Sequence, residues 1–270
     1  MVVNKLDSID TQFRFFEMEV LAKEDDPNVT TVVSTIESKI QFKFDFAKVY
    51  WNPRLSSERP RIIQKMLKGV DVLYDIFAGV GPFVLPVAKF NKCRALANDL
   101  NPESYKWLRE NVKLNCLESR IECYNLDGRD FILNVLKKDL VENYIKKYDG
   151  IDANRRYHVV MNLPDIAFQF LDVFSGLLAD INEKHQINGL QMHCYCFVKR
   201  IPEEKERSYV IEQAEKYLGH KINEEEIDEV YNVRKVAPVK NMYRISFRIS
   251  QNILYSYRDC EFQTKKLKIV

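Results

Sequence analysis

The sequence predicts an α/β fold, a parallel nucleotide-binding sheet preceded by a short β-rich segment. Three observations predict it. Leu73-Tyr-Asp-Ile-Phe-Ala-Gly-Val-Gly-Pro-Phe83 reads as strand, glycine turn and helix in succession, the first unit of such a sheet, with its ligand at the carboxyl end of the strand. Asp99 follows the glycines by about 20 residues, where these folds place a carboxylate that grips a ribose. Apolar runs of strand length then alternate with helical patterns as far as Leu218, the rhythm of βα units. Residues 1–50 are assigned to the β-rich segment and 51–270 to the sheet domain.

With 270 residues the chain can bury one large core and at most a small second one. A net charge of +2 is too small to announce a nucleic-acid partner, so the placement of charge carries more information than its sum. The six cysteines (93, 116, 123, 194, 196 and 260) form no C-x-x-C pair. Reduced, buried thiols are therefore expected, and no metal site. No apolar run approaches the roughly 18 residues of a membrane span, and Met1-Val-Val-Asn-Lys-Leu-Asp7 lacks the apolar core of a signal peptide. A cytoplasmic protein is expected, with the nucleus and the mitochondrial matrix left open.

In chain order, Phe13–Leu21, Asn28–Ser34 and Lys39–Phe46 are rich in β-branched or aromatic residues, the last in clean alternation. Phe42, Phe44 and Phe46 would share one face. Arg14, alone in an aromatic run, reads as a surface strand residue. Asn52-Pro53 marks a turn, after which a helix runs to about Leu67 with Arg54, Glu58, Arg59 and Arg61 in its first turns. A solvated face with an Arg54–Glu58 pair is the bland account. Tyr50 and Trp51 beside those arginines suit stacking on nucleotide bases. Val70–Ile76 is a buried strand. Gly79 and Gly81 let the backbone turn tightly against a ligand, and Pro82 suits a first helical turn. Arg94–Ala97 is a second strand, and Asn101-Pro102 starts an amphipathic helix to Cys116 with Trp107, Leu108, Val112 and Leu114 apolar. Ile121–Tyr124 is a third strand, followed by Asp127, either a ligand contact or a helix N-cap. Residues 137–156 read as a surface insertion. Tyr157–Met161 is a fourth strand with Asn162-Leu-Pro164 at its carboxyl end, an active-site rim by position or a turn by composition. A helix over Ala167–Ile181, a strand over Leu190–Val198 and a helix over Glu203–Leu218 follow. Strands over Tyr231–Met242 and Tyr243–Ile249 close the sheet. Arg234, Lys235, Lys240, Arg244 and Arg248 make this the most basic region, suited to phosphates.

Two details argue against a dinucleotide. The third glycine of G-x-G-x-x-G is missing, and Asp75 before the turn would repel a pyrophosphate while suiting an ammonium group. S-adenosylmethionine has a ribose, an amino-acid end and no phosphate. Asp75-x-Phe-Ala-Gly-Val-Gly-Pro-Phe83 with Asn98-Asp-Leu-Asn-Pro102 resembles the class I methyltransferases, a Rossmann-like fold. More narrowly, the chain is similar to the archaeal and eukaryotic family that methylates N1 of guanosine 37 in tRNA. Asp10–Ala22, Val49–Arg59, Asn162-Leu-Pro164 and the closing strands carry the rest of that likeness, with Ser57 where threonine is usual.

The resemblance implies roles. Glu58 would be the general base, Arg14 the donor to guanine O6 and Asn162 a holder of the guanine edge. Asp75, Phe77, Gly79, Gly81, Asp99, Leu100, Asn101, Asp127 and Asn162 would bind S-adenosylmethionine. Tyr50, Arg54, Arg59, Pro164, Arg234 and Lys240 would meet the anticodon stem-loop of tRNA, with no membrane partner and a monomeric enzyme. In this family further N-terminal sequence, including a small domain gripping the outer corner of tRNA, precedes the Val-Val-Asn-Lys found here at residues 2–5. Without it, weaker tRNA affinity is expected. The rival is the aminocarboxypropyl transferase of wyosine synthesis, whose turn ends in tyrosine rather than Pro82 and which lacks Asn-Leu-Pro. A catalytically inactive RNA-binding relative is the alternative from another class, and a dehydrogenase ranks last.

Overall fold

The structure, a computed structural model, describes residues 2–5, 18–22, 30–66, 71–142, 155–181 and 189–256. The chain divides into two compact units, Met1–Phe131 with Tyr157–Val160, and Ile132–Arg156 with Met161–Val270.

In the first unit, strands β1 (Val2–Lys5) and β2 (Met18–Ala22) pair antiparallel. A second hairpin joins β3 (Val32–Glu37) to β4 (Ile40–Asp45) through Ser38 and Lys39. Both turn residues have positive φ, 49° and 61°, the backbone of a two-residue turn whose twist matches its strands. Along β4 the alternation holds: Ile40, Phe42 and Phe44 are buried while Gln41 and Lys43 are exposed. Phe46 leaves the pattern because the strand ends at Asp45, whose Oδ1 accepts the Ala47 N–H at 3.1 Å and bends the chain away.

A 3₁₀ turn at Pro53–Leu55, capped by the Asn52 side chain, leads into α1 (Glu58–Met66). Four parallel strands follow, β5 (Val72–Asp75), β6 (Arg94–Asn98), β7 (Ile121–Tyr124) and β8 (Tyr157–Met161), in the order β8-β5-β6-β7. Asp75 stands level with Ala97 and Val160. β5 and β8 are buried throughout, as parallel strands covered on both faces must be. Between β5 and β6, α2 (Val84–Pro86) runs into a π-helical segment, Val87–Asn91. Pro86 has no N–H to give the α-helical ladder there. Helix α3 (Pro102–Leu114) has Asn101 as its N-cap and Pro102 in its first turn, the arrangement that satisfies orphan amides without wasting one. It buries Ser104, Trp107, Leu108, Asn111 and Val112. Leu114, expected on that face, is 47% exposed, and the amide Asn111 occupies the inward position instead. The short α4 (Gly128–Asp130) begins at Asp127.

In the second unit, α5 (Lys137–Leu140) buries Asp139 and Leu140. Where the described residues reach, 137–142 are helical; 143–154 lie outside the described residues. The helix expected over 167–181 is a 3₁₀ helix, Ala167–Phe174, that stops at an extended Ser175 and at Gly176, φ 65°. Strands β9 (Leu190–Lys199), β10 (Ile227–Ala237) and β11 (Lys240–Ile249) are antiparallel in the order β10-β11-β9. The β10–β11 turn falls at Pro238-Val239 rather than at Met242-Tyr243. Pro238 cannot donate to a ladder and so marks the bend. Helix α6 (Glu203–Leu218) ends at Gly219 in the left-handed conformation, φ 77°. Its inward stripe is Glu206, Val210, Ala214 and Leu218. Glu206 accepts the Tyr243 hydroxyl at 2.6 Å and the Asn241 amide at 2.9 Å. The chain beyond Ile249 is held as far as it is described by α7 (Gln251–Leu254): Gly176 and Leu178 donate to the carbonyls of Ile253 and Leu254. No described helix is long and apolar enough to cross a membrane.

Candidate active site

The glycine turn leaves β5 at Asp75 and is pinned from several sides. The Ile76 N–H donates to the Val160 carbonyl at 3.1 Å, that of Ala78 to the Asn98 carbonyl at 2.7 Å, and that of Gly81 to the Ala78 carbonyl at 2.9 Å. Gly79 and Gly81 adopt φ of 56° and 97°, values that strain any residue with a Cβ. The two glycines differ in surroundings. A Cβ at Gly81 would lie 2.0 Å from a Leu85 methyl, whereas one at Gly79 would meet nothing within 4 Å. The backbone is therefore open to a ligand at Gly79.

Two carboxylates face this turn. Asp99 accepts the Gly79 N–H at 2.8 Å and the Asn101 N–H at 2.9 Å. Burial pushes its carboxyl up to about 6 against the pull of those two donors. Asp75 is wholly buried, and neither of its oxygens completes a well-formed hydrogen bond among the described residues. Burial pushes it up to about 8; the Phe77 N–H draws it partly down, and Asp99 adds to the rise. A buried acid held in this way favours a cationic ligand, because a nearby positive charge restores the ionised form.

Asparagines brace the loops around these acids. Asn98, fully buried, donates to the carbonyls of Ile76 and Leu126 at 3.2 and 3.0 Å and accepts the Leu126 N–H at 2.9 Å. Asn125 donates to the carbonyls of Asp99 and Leu100 at 2.7 and 3.0 Å. Leu100 itself is exposed at the rim. Asn101 caps α3 through Oδ1 and donates to the Lys48 carbonyl at 2.9 Å, which ties the Asp99 turn to the segment entering Tyr50. Asp127 caps α4 by accepting the Arg129 N–H at 2.8 Å, so the capping role foreseen for it is realised.

The Tyr50–Arg61 stretch also lies in the first unit. Trp51 packs on Phe44 and Phe42, with ring centroids 4.8 and 5.1 Å apart, and the Arg59 guanidinium sits 4.8 Å above its ring. Arg59 is 3% exposed; its Nη1 meets both Glu37 oxygens at 2.5 and 2.6 Å, and Nη2 donates to the Asn52 carbonyl at 3.0 Å. The expected substrate contacts at Arg59 and Trp51 thus give way to an internal clamp that fixes the start of α1 against the β3–β4 hairpin. Sequence reading could not find Glu37, which lies 22 residues upstream of its partner. Glu58, at the first position of α1, is 3% exposed with Arg61 Nη1 3.8 Å from its Oε2. This is not the solvated face of the bland account. Tyr50 and Arg54 are exposed; the Tyr50 hydroxyl accepts from Asn52 at 3.1 Å. Arg14 lies outside the described residues.

Within the second unit, Asn162, Leu163 and Pro164 are half-buried, and the Leu163 carbonyl accepts the Ile166 and Ala167 N–H groups. Lys240 reaches this loop: its ammonium is 3.9 Å from Asp165, the residue after Pro164, and 3.6 Å from the Phe197 ring centre. Arg234 is half-buried on β10. Arg244, expected among the phosphate-holding residues, is 2% exposed, bonded to Glu229 at 2.8 Å and to Ser246, which also meets His193 at 2.9 Å. It is a core ion pair.

A family model described as the TRM5/TYW2 methyltransferase domain matches residues 32–216. The tRNA (guanine(37)-N(1))-methyltransferase of Drosophila pseudoobscura pseudoobscura is 43% identical over 264 residues, covering 96% of this chain and 57% of that protein. Among solved structures, aTrm5 in complex with tRNALeu is 30% identical with a TM-score of 0.65, covering 92% of this chain and 60% of that one. Methanocaldococcus jannaschii Trm5 in complex with adenosine is 28% identical with a TM-score of 0.60, covering 86% of this chain and 58% of that one. The chain spans about half the length of the curated relatives it matches.

Proposed function

Because the chain belongs to the TRM5/TYW2 methyltransferase domain family, we propose that it methylates N1 of guanosine 37 in tRNA, with S-adenosylmethionine as donor. The observation that carries this furthest is the glycine turn, where a backbone open at Gly79 stands beside two carboxylates, the buried Asp75 and the half-buried Asp99. That set fits a ligand with an ammonium group and a ribose and no phosphate. Asp75 would hold the ammonium and Asp99 the ribose hydroxyls. Phe77, Gly79 and Gly81 would supply backbone, and Leu100, Asn101 and Asp127 the rim. When bound, the donor supplies a methyl group already activated by its sulfonium.

The remaining chemistry falls to side chains. Guanine N1 keeps its proton at neutral pH and is a poor nucleophile until that proton leaves. Glu58 would accept it, a contribution of roughly 10²- to 10⁴-fold. Charge then moves to O6, where Arg14 would stabilise it. Asn162 would orient the guanine edge and Pro164 would shape the pocket. The base leaves its stack at a cost of a few kcal/mol, and Tyr50 would pack on it. Arg54, Arg234 and Lys240 would hold phosphates, each contact blind to sequence and sensitive to salt. A monomer acting in the cytoplasm completes the proposal, and the nucleus and mitochondrial matrix are compatible with it.

The aminocarboxypropyl rival is disfavoured by Pro82 and Asn162-Leu-Pro164 and by the naming of the curated relatives as guanine-N(1) methyltransferases. Two tRNA transcripts differing only at position 37, guanosine or adenosine, incubated with methyl-labelled donor, provide the test. Label is expected on the guanosine transcript alone; equal labelling rejects the assigned target.

A further inference from the structure

We propose that Asn111 is a positioning residue that sets the cofactor turn against the hairpin carrying the Trp51–Arg59 clamp. Its side chain is fully buried in the third turn of α3, a place where an apolar residue would serve a purely structural helix. It uses both ends of its amide. Nδ2 donates to the Val80 carbonyl at 3.1 Å, and Oδ1 accepts the Lys43 backbone N–H at 2.7 Å. Val80 lies between the two glycines of the turn. Lys43 lies between Phe42 and Phe44, the two rings on which Trp51 packs. Trp51 in turn carries the Arg59 guanidinium, next in sequence to Glu58.

One amide therefore connects the turn that contacts Asp99 to the platform that seats the proposed base. Buried amides satisfied at both ends rigidify what they join, since losing either partner leaves a desolvated group unmatched. A second tether runs parallel, from Asn101 at the start of the same helix to the Lys48 carbonyl. Asn115, one turn beyond Asn111, repeats the pattern toward the hairpin by exchanging two hydrogen bonds with the Gln41 backbone. Helix α3 and its two cap residues thus present asparagines at 101, 111 and 115 to the segment 41–48. Of the three, Asn111 is the one that also holds the glycine turn.

The test uses Asn111→Leu, nearly isosteric and unable to make either bond, and Asn111→Asp, which keeps the acceptor for Lys43 and as a carboxylate loses the donor to Val80. Donor affinity is read by calorimetry with S-adenosylmethionine. Single-turnover methylation of guanosine-37 tRNA is read at saturating donor, below the unfolding midpoint of each variant. Asn111→Leu is expected to weaken donor affinity about fivefold and to slow the saturated rate by a similar factor, each matching the loss of about one buried hydrogen bond. If Asn111→Leu does not fold, Asn111→Asp decides, with the same loss of affinity expected. Unchanged affinity and rate in a folded variant, or a change in only one of the two with Asn111→Leu, overturns the proposal. It rests on the methyl-transfer reading, and the two are distinguishable. Wild-type turnover tests that reading, while the ratio of variant to wild type tests this one.

Discussion

Glu58→Gln is expected to lower single-turnover methylation by roughly 10²- to 10⁴-fold, the range removed with a general base, while donor affinity stays within about twofold. Glu58 opens α1, 3% exposed, with Arg61 3.8 Å away to balance its charge. The next residue, Arg59, is clamped by Glu37, the Asn52 carbonyl and Trp51, so the backbone beneath Glu58 is fixed by partners that do not involve it. Glutamine keeps the volume and one acceptor oxygen but cannot take a proton. Fold and donor binding should therefore survive while proton removal from N1 does not. Glu58→Asp should fall between the two, since it retains the base on a shorter stem. Calorimetry with the donor and rapid-quench kinetics on guanosine-37 tRNA separate the two effects. A variant that loses donor binding instead would make Glu58 a structural acid.

Asp75→Asn is expected to stabilise the free protein at alkaline pH and to cripple donor binding. The folded-state value of Asp75 is raised from 3.8 to about 8, chiefly by burial. A raised acid contributes stability in full below the unfolded value, because both states are fully protonated there. That contribution is lost as pH climbs through the interval to about 8, where the unfolded chain ionises readily and the folded one does not. A rise of about four pKa units corresponds to several kcal/mol, and roughly 6 kcal/mol bounds the effect from above. Asparagine, neutral at every pH, removes the penalty. The melting temperature of Asp75→Asn should exceed that of the wild type at pH 8, and the gap should narrow steadily toward pH 5. Donor affinity should fall about 10- to 100-fold, the worth of a hydrogen bond to a charged group. In the wild type, affinity should rise as pH increases from 6 to 7.5, by at most tenfold per unit, as Asp75 is readied to ionise against the ammonium. A flat profile there, together with unchanged melting of the variant, would remove Asp75 from the donor site.

The parts of this molecule that were legible in its sequence are those whose partners lie close along the chain. Asp75, the glycines, Asp99 and the Asn101-Pro102 helix start belong to one strand–turn–helix–strand unit, and each is where its local chemistry places it. What could not be read depends on distant partners. Trp51 beside arginines looks like a stacking platform until β4 supplies Phe42 and Phe44. Arg59 looks free until Glu37 arrives from the neighbouring hairpin, and Arg244 looks like a phosphate ligand until Glu229 and Ser246 enclose it. Asn111 was invisible because an amide in an amphipathic helix counts as polar, and only the inward stripe through Leu108 and Val112 reveals that it is buried. Pro238 did carry the signal for the β10–β11 turn, but the unbroken β-rich run on both sides of it masked the break.

The account stands or falls on which atom of which nucleotide is modified, and by what group. Wild-type protein is incubated with S-adenosylmethionine and a tRNA transcript bearing guanosine at 37, and the product is then digested and its nucleosides identified by mass spectrometry with positional mapping. The account predicts 1-methylguanosine at position 37. An aminocarboxypropyl adduct, or a methyl group on another atom or another nucleotide, would contradict it.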